Sequence, residues 1–163
     1  MKKVFLFLLV ATPLYLALCI YFLDKHYFAS PLEYQGAMSI RADGRGNGFF
    51  ASPRNGKRVH RGIDLCARIG APVFASRSGT VAMATEEKFG MGKYVVIKHP
   101  RHMITLYGHL SGINVVKGQF VRQGAVIGWV GKTGNANSKA MQPHLHFEVR
   151  VNEIPQDPLE YLD

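Results

Sequence analysis

Cysteine is scarce in this sequence, with two residues among 163. Cys19 lies in a strongly apolar stretch near the N-terminus, whereas Cys66 lies in the middle of the chain. A disulfide between residues in such different surroundings is not expected, which excludes a scaffold held together by disulfides. The chain is long enough for one domain, and that domain must be stabilised by a single packed core.

The sequence also lacks helical periodicity beyond its N-terminal part. No stretch after Asp64 repeats apolar residues every 3.6 positions over three turns, and no fixed-period repeat or low-complexity tract occurs. A helical bundle and a repeat protein are therefore excluded. Helix is expected to be limited to one turn near Pro158.

Instead, six short apolar or alternating runs follow Asp64, separated by glycine-containing turns: APVFAS, GTVAMAT, KYVVIKH, MITLYGHL, AVIGWVG and HLHFEVRV. Strands of this length and spacing are typical of an all-β domain. Pro100-Arg101-His102 separates the third run from the fourth, which predicts a hairpin in which Pro100 ends the first strand. We expect a mostly antiparallel β domain over residues 39–163.

The longest apolar run, residues 4–23, contains 20 residues without a charge. About 20 residues are needed to cross a bilayer as a helix, the form that satisfies the backbone of a single segment in lipid. Lys2 and Lys3 precede the run, and positive charge on the cytoplasmic side predicts that residues 1–3 are cytoplasmic. The run is therefore predicted to be one transmembrane signal-anchor helix.

This anchor would place the rest of the chain outside the cytoplasm. Residues 24–38 mix charged, aromatic and small side chains without periodicity, which is typical of a juxtamembrane linker. The expected location is a cell membrane, crossed once, with the C-terminal domain on the extracytoplasmic or periplasmic side. The alternative is secretion after cleavage of a signal peptide, although the apolar core of such a peptide is usually about 7–15 residues long.

Acidic residues are outnumbered: 11 Asp and Glu stand against 20 Lys and Arg, which gives a net charge of +9. This charge predicts an anionic partner. Nucleic acid is not expected, because the domain is predicted to be exported and no stacking-aromatic motif accompanies the basic residues. One basic group surrounds a short segment and is expected either to be a solvated face or to steer a substrate: Arg54, Lys57, Arg58, Arg61 and Arg68.

Four of the seven histidines fall in three short motifs, which are His60-Arg-Gly-Ile-Asp64, Tyr107-Gly-His109-Leu110 and His144-Leu-His146-Phe-Glu148. Residues two apart in a strand point to the same side, so His144 and His146 share one face of the sheet. A catalytic zinc site requires three protein ligands and one open position, and two histidines with one carboxylate meet that requirement. The residues alone leave open which of the two strand histidines is the ligand.

Together the motifs resemble those of the lysostaphin and LytM type of zinc metallopeptidase, which cleaves peptidoglycan peptides. The resemblance covers residues 50–163 and includes four connecting segments in the expected order: Gly70-Ala-Pro-Val-Phe-Ala75, Ser78-Gly-Thr-Val81, Val116-Lys-Gly-Gln-Phe-Val121 and Gly124-Ala-Val-Ile-Gly128. It implies an antiparallel domain with a substrate groove, related to the barrel-sandwich, lipoyl-like architecture. It also implies hydrolysis of peptide cross-links or stem peptides of bacterial peptidoglycan, so the membrane of the predicted anchor would be a bacterial one.

The resemblance further implies a role for each motif residue. His60, Asp64 and His146 are expected to bind one Zn²⁺ per chain, and His109 and His144 are expected to be catalytic groups beside the attacking water. One of the two would take the proton of the water while the other stabilises the oxyanion or protonates the leaving amine. The division of these roles stays open.

Three neighbouring residues are expected to be structural. Tyr107 shares a strand face with His109 and is predicted to pack in the domain, with contact to the oxyanion as the alternative. Glu148 shares the face of the two strand histidines and is predicted to be an exposed carboxylate, with a role as a hydrogen-bond partner of a ligand or as a base as the alternative. Cys66 is predicted to be a small buried apolar residue, with ligation of zinc as the alternative.

Two other functions remain open from the sequence. A catalytically inactive member of the same fold, which binds the wall or activates another hydrolase, would be expected to lack one or more of the metal ligands, and all three expected ligands are present. A lipoyl or biotinyl carrier domain would account for Gly118-Gln-Phe-Val-Arg-Gln-Gly124, but it requires an exposed lysine at a hairpin tip and not a set of histidines. The sequence gives no indication of an oligomeric state.

Overall fold

The computed structural model describes Thr12, Tyr15 and residues 23–24, 27–54, 56 and 58–162. Its strands are β1 (Ala42–Asp43), β2 (Gly46–Asn47), β3 (Ile63–Cys66), β4 (Pro72–Phe74), β5 (Gly79–Glu86), β6 (Lys93–His99), β7 (Met103–Ile113), β8 (Phe120–Val121), β9 (Val126–Val130), β10 (His144–Val151) and β11 (Ile154–Gln156). Two short 3₁₀ helices cover Gly134–Ala136 and Pro158–Glu160. The prediction of an all-β domain is confirmed, with the second 3₁₀ helix at the one turn expected to be helical.

Nine of the strands form one antiparallel sheet whose main path runs β11-β10-β7-β6-β5-β8. β3 pairs with the first half of β10, and β9 pairs with both β4 and the end of β7. The sheet therefore branches, with β10 held on one side by β7 and on the other by β3 and then β11. The hairpin predicted at residues 100–102 joins β6 to β7.

The core is formed by the apolar side chains that alternate along the long strands. In β6, Val95 and Ile97 are fully buried, whereas Lys98, which follows Ile97, is exposed. Phe147 and Val149 of β10 are buried in the same core. Each such side chain contributes about 1.5–3 kcal/mol when it is removed from water. The motif histidines of β10 alternate with these core residues, so the core fixes the face on which they lie.

The segment predicted to be a linker contributes to this core. Phe28 and Leu32 are buried among the core side chains. The backbone of the segment is bonded as well, because Ala29 N–H donates to Ser76 O at 2.8 Å and Phe74 N–H donates to Pro31 O at 2.9 Å. The packed part of the chain thus includes residues upstream of Ser39, although the domain boundaries themselves stay a prediction.

The predicted anchor helix falls on residues that, apart from Thr12, Tyr15 and Leu23, lie outside the described part of the chain, as does the predicted cytoplasmic stretch 1–3. Among the residues that are described, no helix has the length and the apolar character needed to span a bilayer. The anchor therefore stays a prediction from sequence.

Candidate metal centre

Three neighbouring elements bring the motif residues together. β10 carries His144 and His146, and β3 pairs with it antiparallel so that His146 lies opposite Asp64. His60 precedes β3 by three residues and is likewise buried. On the other side of β10, His146 lies opposite Gly108 of β7. The β7 motif that contains His109 is therefore next to His146 as well. The strand register thus gathers residues that are up to 86 positions apart in the chain.

The closest atoms of His60, Asp64 and His146 form a small triangle. His60 Nε2 lies 3.0 Å from His146 Nδ1 and 3.1 Å from Asp64 Oδ1, and His146 Nδ1 lies 2.9 Å from Asp64 Oδ1. Ligands about 2.0–2.1 Å from a tetrahedral zinc ion would be roughly 3.3–3.4 Å apart. The three atoms are therefore spaced closely enough to bind one metal ion together.

Hydrogen bonds on the far side of each imidazole show which atoms carry lone pairs. His60 Nδ1–H donates to Phe49 O at 2.9 Å, and His146 Nε2–H donates to Glu148 Oε1 at 3.0 Å. In the neutral form of each ring, His60 Nε2 and His146 Nδ1 are then without a proton. Together with a carboxylate oxygen, they make three electron-rich atoms that face one another. Such a donor set fits a divalent cation, and bonds from the second ring nitrogen to carbonyl or carboxylate are typical of histidine ligands.

The carboxylates around His146 raise the affinity of this imidazole for positive charge. Burial alone would lower the pKa of His146, but its hydrogen bonds and charge interactions with Asp64 and Glu148 outweigh burial and raise the pKa to about 9. Burial would raise the pKa of Asp64, yet the bonds from His146 and His60 hold that pKa well below its usual range. Both shifts show that the triangle favours a positive charge at its centre.

The second oxygen of Asp64 is bound by two guanidinium groups. Arg41 donates to Oδ2 through Nε at 3.2 Å and through Nη2 at 3.0 Å, and Arg54 Nη2 lies 3.4 Å from the same oxygen. These bonds leave Oδ1 directed at the two histidines. Arg54 belongs to the basic group predicted to be solvated or to steer substrate, whereas no motif or periodicity predicted a role for Arg41.

His109 and His144 lie beside the triangle without joining it. Their rings are 5.1 Å apart between centroids, and His144 Nε2 lies 3.9 Å from Asp64 Oδ1. Each ring donates its Nδ1–H to a backbone carbonyl, from His109 to Thr133 O at 2.9 Å and from His144 to Gln142 O at 2.6 Å. Nε2 of each ring is then free to accept a proton in the neutral form.

Both of these histidines are neutral at neutral pH. Burial, followed by the charges of His146 and His144, lowers the pKa of His109 to about 3. Burial is also the main reason why the pKa of His144 is lowered, against the opposing charge of Asp64. The arrangement therefore combines a cation site with two neutral imidazoles whose unprotonated nitrogen can take a proton.

The side chain of His109 reaches the site through an irregular backbone. Its φ angle is +62°, which costs a non-glycine residue on the order of 1–3 kcal/mol. Its N–H donates to Met91 O at 2.8 Å. The turn that contains Met91 packs against the loop whose Thr133 carbonyl accepts from the His109 ring. A β-carbon at Gly92 would lie 2.3 Å from Thr133 Oγ1, so only glycine permits this contact. The two loops together support the strained conformation.

Because of this backbone, Tyr107 and His109 do not share a strand face as predicted. The two were expected to share a strand face, but Tyr107 is fully buried in the core, against Phe147, and its hydroxyl accepts the N–H of Ser76 at 2.9 Å. The positive φ of His109 breaks the alternation of the strand and directs its ring to the histidines of β10 instead. The prediction that Tyr107 packs is confirmed.

The prediction of an exposed Glu148 is wrong. The side chain is 1% exposed, accepts from His146 through Oε1 and is bound through Oε2 by Arg150 Nε at 2.8 Å and by Arg150 Nη2. The segment before β3 covers it, since a β-carbon at Gly62 would lie 2.8 Å from Glu148 Cγ. The strand face that Glu148 shares with His144 and His146 indicated that it lies near the site. Nothing in the sequence indicated that the segment before β3 would cover it.

Glu148 gives a prediction about metal affinity. Glu148→Gln keeps the shape of the side chain but removes the charge that favours His146 as a ligand, so metal affinity is expected to fall about 10- to 100-fold. A competition titration with a chromophoric chelator measures this change. Glu153→Gln, which alters an exposed turn residue, is the matched control. Equal affinity in Glu148→Gln and wild type would contradict the role given to Glu148.

Cys66 and His99 both lie outside the triangle. Cys66 is half-buried, and its thiol contacts Gln142 Oε1 at 3.5 Å. His99 is buried at the other end of β6, where it bonds Ser78 O at 3.0 Å and Thr105 Oγ1 at 2.8 Å. Within the described part of the chain, the group of side chains suited to hold a metal comprises only His60, Asp64 and His146.

A family model described as peptidase family M23 matches residues 58–158, which include the triangle and both flanking histidines. Among curated proteins, a lipoprotein NlpD/LppB homolog of Pseudomonas aeruginosa is 39% identical over 127 residues, covering 78% of this chain and 40% of its own length. The peptidoglycan DD-endopeptidase ShyC of Vibrio cholerae is 35% identical over 137 residues, covering 83% and 29%. The chain thus spans less than half the length of these relatives.

Solved structures with a similar fold include two peptidases. A zinc-containing peptidase from Vibrio cholerae superposes with a TM-score of 0.65 at 34% identity, covering 79% of this chain and 38% of the other. The catalytic domain of lysostaphin from Staphylococcus simulans superposes with a TM-score of 0.61 at 32% identity, covering 73% and 91%. The all-β antiparallel architecture is therefore of the lysostaphin type, as the sequence motifs predicted.

Proposed function

Since the chain belongs to peptidase family M23, we propose that it is a zinc-dependent endopeptidase that hydrolyses peptide cross-links or stem peptides of bacterial peptidoglycan. The observation that carries this proposal is the triangle of His60 Nε2, Asp64 Oδ1 and His146 Nδ1, three electron-rich atoms within 3.1 Å of one another. Two imidazoles with an unprotonated Nε2 lie beside it. A carrier domain would not require this arrangement, and an inactive member of the family would not require all five residues.

Zinc held by this triangle would polarise the scissile carbonyl and activate water at neutral pH. The other steps belong to the side chains. One of His109 and His144 would take a proton from the attacking water at Nε2 as the carbonyl carbon becomes tetrahedral. The other, once Nε2 has received that proton or one from solvent, would donate a hydrogen bond to the oxyanion or give the proton to the amine nitrogen as the C–N bond breaks. The carbonyls of Thr133 and Gln142 would stabilise either imidazolium, since each accepts an Nδ1–H.

The substrate groove is proposed to cross the sheet at this centre. Its walls would be the loop before His60, which exposes Phe49, and the loop of residues 131–142 before His144. The similarity to a DD-endopeptidase supports a D-amino acid cross-link as the bond cut, in preference to a glycine bridge. Basic side chains at the rim, such as Arg54, would attract the carboxylates of a stem peptide.

The proposed location is the bacterial membrane, with residues 4–23 as a single anchor and the domain outside the cytoplasm. The uncharged run of 20 residues supports the anchor, and release by signal cleavage is the alternative. The first core residue, Phe28, follows Leu23 by five positions. At roughly 3.3–3.6 Å per extended residue, the packed domain would lie within about 18 Å of the bilayer.

The proposal is tested with the full chain, purified in detergent because of the apolar run of residues 4–23. The full chain is used because the core side chain of Phe28 lies only five positions after that run. Metal analysis is expected to give one zinc per chain, and mass spectrometry of digested peptidoglycan is expected to give cross-linked fragments cut at a D-amino acid bond. Products cut at glycine would change the bond but not the reaction. Zinc-loaded protein that binds peptidoglycan without releasing any fragment would contradict the proposal and favour an inactive, wall-binding member.

A further inference from the structure

Asp43 is not one of the five predicted site residues, but its side chain bonds to two residues that hold site residues: Arg41 binds Asp64, and Gln142 binds His144. Its side chain is 8% exposed, and its two oxygens accept from different parts of the chain. Oδ1 accepts from Arg41 Nη1 at 2.6 Å and from Arg45 N–H at 2.8 Å. Oδ2 accepts from Gln142 N–H at 2.9 Å, across 99 positions of sequence.

The first of these bonds leads to the metal ligands. Arg41 is 2% exposed, and its guanidinium divides its N–H groups between two carboxylates, with Nη1 on Asp43 and with Nε and Nη2 on Asp64 Oδ2. The backbone is fixed as well, because Arg41 N–H donates to Asp64 O at 2.8 Å. A planar guanidinium that binds two carboxylates sets the orientation of one relative to the other.

The second bond leads to a catalytic histidine. Gln142 ends the loop of residues 131–142, and its carbonyl accepts the Nδ1–H of His144 at 2.6 Å. The N–H of the same residue is held by Asp43. The position of Asp43 Oδ2 therefore fixes the residue that holds the His144 ring. Burial alone would raise the pKa of Asp43, but the bonds from Gln142 and Arg41 outweigh it and lower that pKa, so the carboxylate is charged at neutral pH.

We propose that Asp43 is a positioning residue that sets His144 relative to Asp64, through Gln142 on one side and Arg41 on the other. The inference rests on the proposed function, since it assigns a role within that reaction. Asp43 touches none of the reacting groups itself. Its effect arises because displacing a reacting group by about 1 Å can cost 10²-fold in rate.

The test is Asp43→Asn in the full chain. The amide has one acceptor oxygen, so it can no longer accept fully from both Arg41 and Gln142. We expect zinc content and KM to stay at the wild-type values while kcat falls about 10- to 100-fold. Asp157→Asn is the matched control, because Asp157 also accepts a backbone N–H, from Leu159 at 3.0 Å, but at the far 3₁₀ helix. This control is expected to leave kcat unchanged.

A second readout does not depend on activity. The Nδ1–H proton of His144, assigned by its absence in His144→Ala, is expected to exchange slowly with water in the NMR spectrum of the wild type because Gln142 O binds it. In Asp43→Asn we expect faster exchange and a shifted resonance. An unchanged kcat, an unchanged resonance, or a loss of zinc that accounts for the whole fall in kcat would each overturn the inference. If wild type cleaves no peptidoglycan, the proposed function fails, yet the resonance still tests the contact.

Discussion

Replacing His146 with alanine is expected to abolish metal binding and hydrolysis together. The substitution removes one of the three atoms of the triangle and leaves a buried carboxylate oxygen of Glu148 without its donor. A metal ion supplies several kcal/mol of transition-state stabilisation, so kcat is expected to fall by about three orders of magnitude or more. Metal analysis of the purified chain and turnover of isolated peptidoglycan measure the two effects.

His60→Ala is the second variant for this prediction, because it removes a different corner of the triangle. Its zinc content and turnover are expected to fall together as well. The test therefore still holds if one of the two variants folds poorly. His102→Ala is the control, since His102 is exposed in the turn between β6 and β7. Full zinc content in both His146→Ala and His60→Ala would rule out the triangle as the metal site.

Replacing His109 with alanine is expected to leave the metal in place but remove turnover. His109 lies 5.9 Å from His146 between ring centroids and contributes no atom to the triangle, so zinc content should stay at the wild-type value. Loss of a group that transfers a proton costs about 10²- to 10⁴-fold in rate, and that fall is expected in kcat with little change in KM.

His109→Asn serves as a second variant, because asparagine accepts the left-handed backbone of this position more readily than alanine does. Both variants lack the imidazole, so both should lose turnover by a similar factor. His144→Ala, measured in parallel, is expected to have the same signature of retained zinc and reduced kcat. Hydrolysis at the wild-type rate by either His109 variant would remove His109 from the catalytic groups.

The periodicity of single strands made much of the fold predictable. His144 and His146 lie two positions apart in one strand, so their shared face follows from local geometry. The pairing of His146 with Asp64 does not, because it depends on the register between two strands that are about 80 positions apart. For that reason periodicity and ligand chemistry indicated a metal near these residues, while the choice of His146 depended on resemblance to known peptidases.

The features that sequence reasoning missed depend on distant partners or on an irregular backbone. Arg41 lies in a glycine-dense stretch without periodicity, and its partner Asp64 is 23 positions away. The burial of Glu148 depends on a segment that passes over it only because Gly62 has no β-carbon. His109 departs from strand alternation because its φ is positive, and only the surrounding loops make that conformation stable.

If residues 4–23 anchor the chain as predicted, the burial of Phe28 limits where a protease could release the domain from the membrane. A protease that cut the chain after Phe28 would take a core side chain away with the discarded piece, and loss of a buried phenylalanine costs about 3–5 kcal/mol. Typical domains have about 5–15 kcal/mol of stability in all. Cleavage upstream of Phe28 would release a domain that keeps this core side chain. The short stretch predicted to connect the domain to the bilayer would therefore also decide whether a freed fragment stays folded.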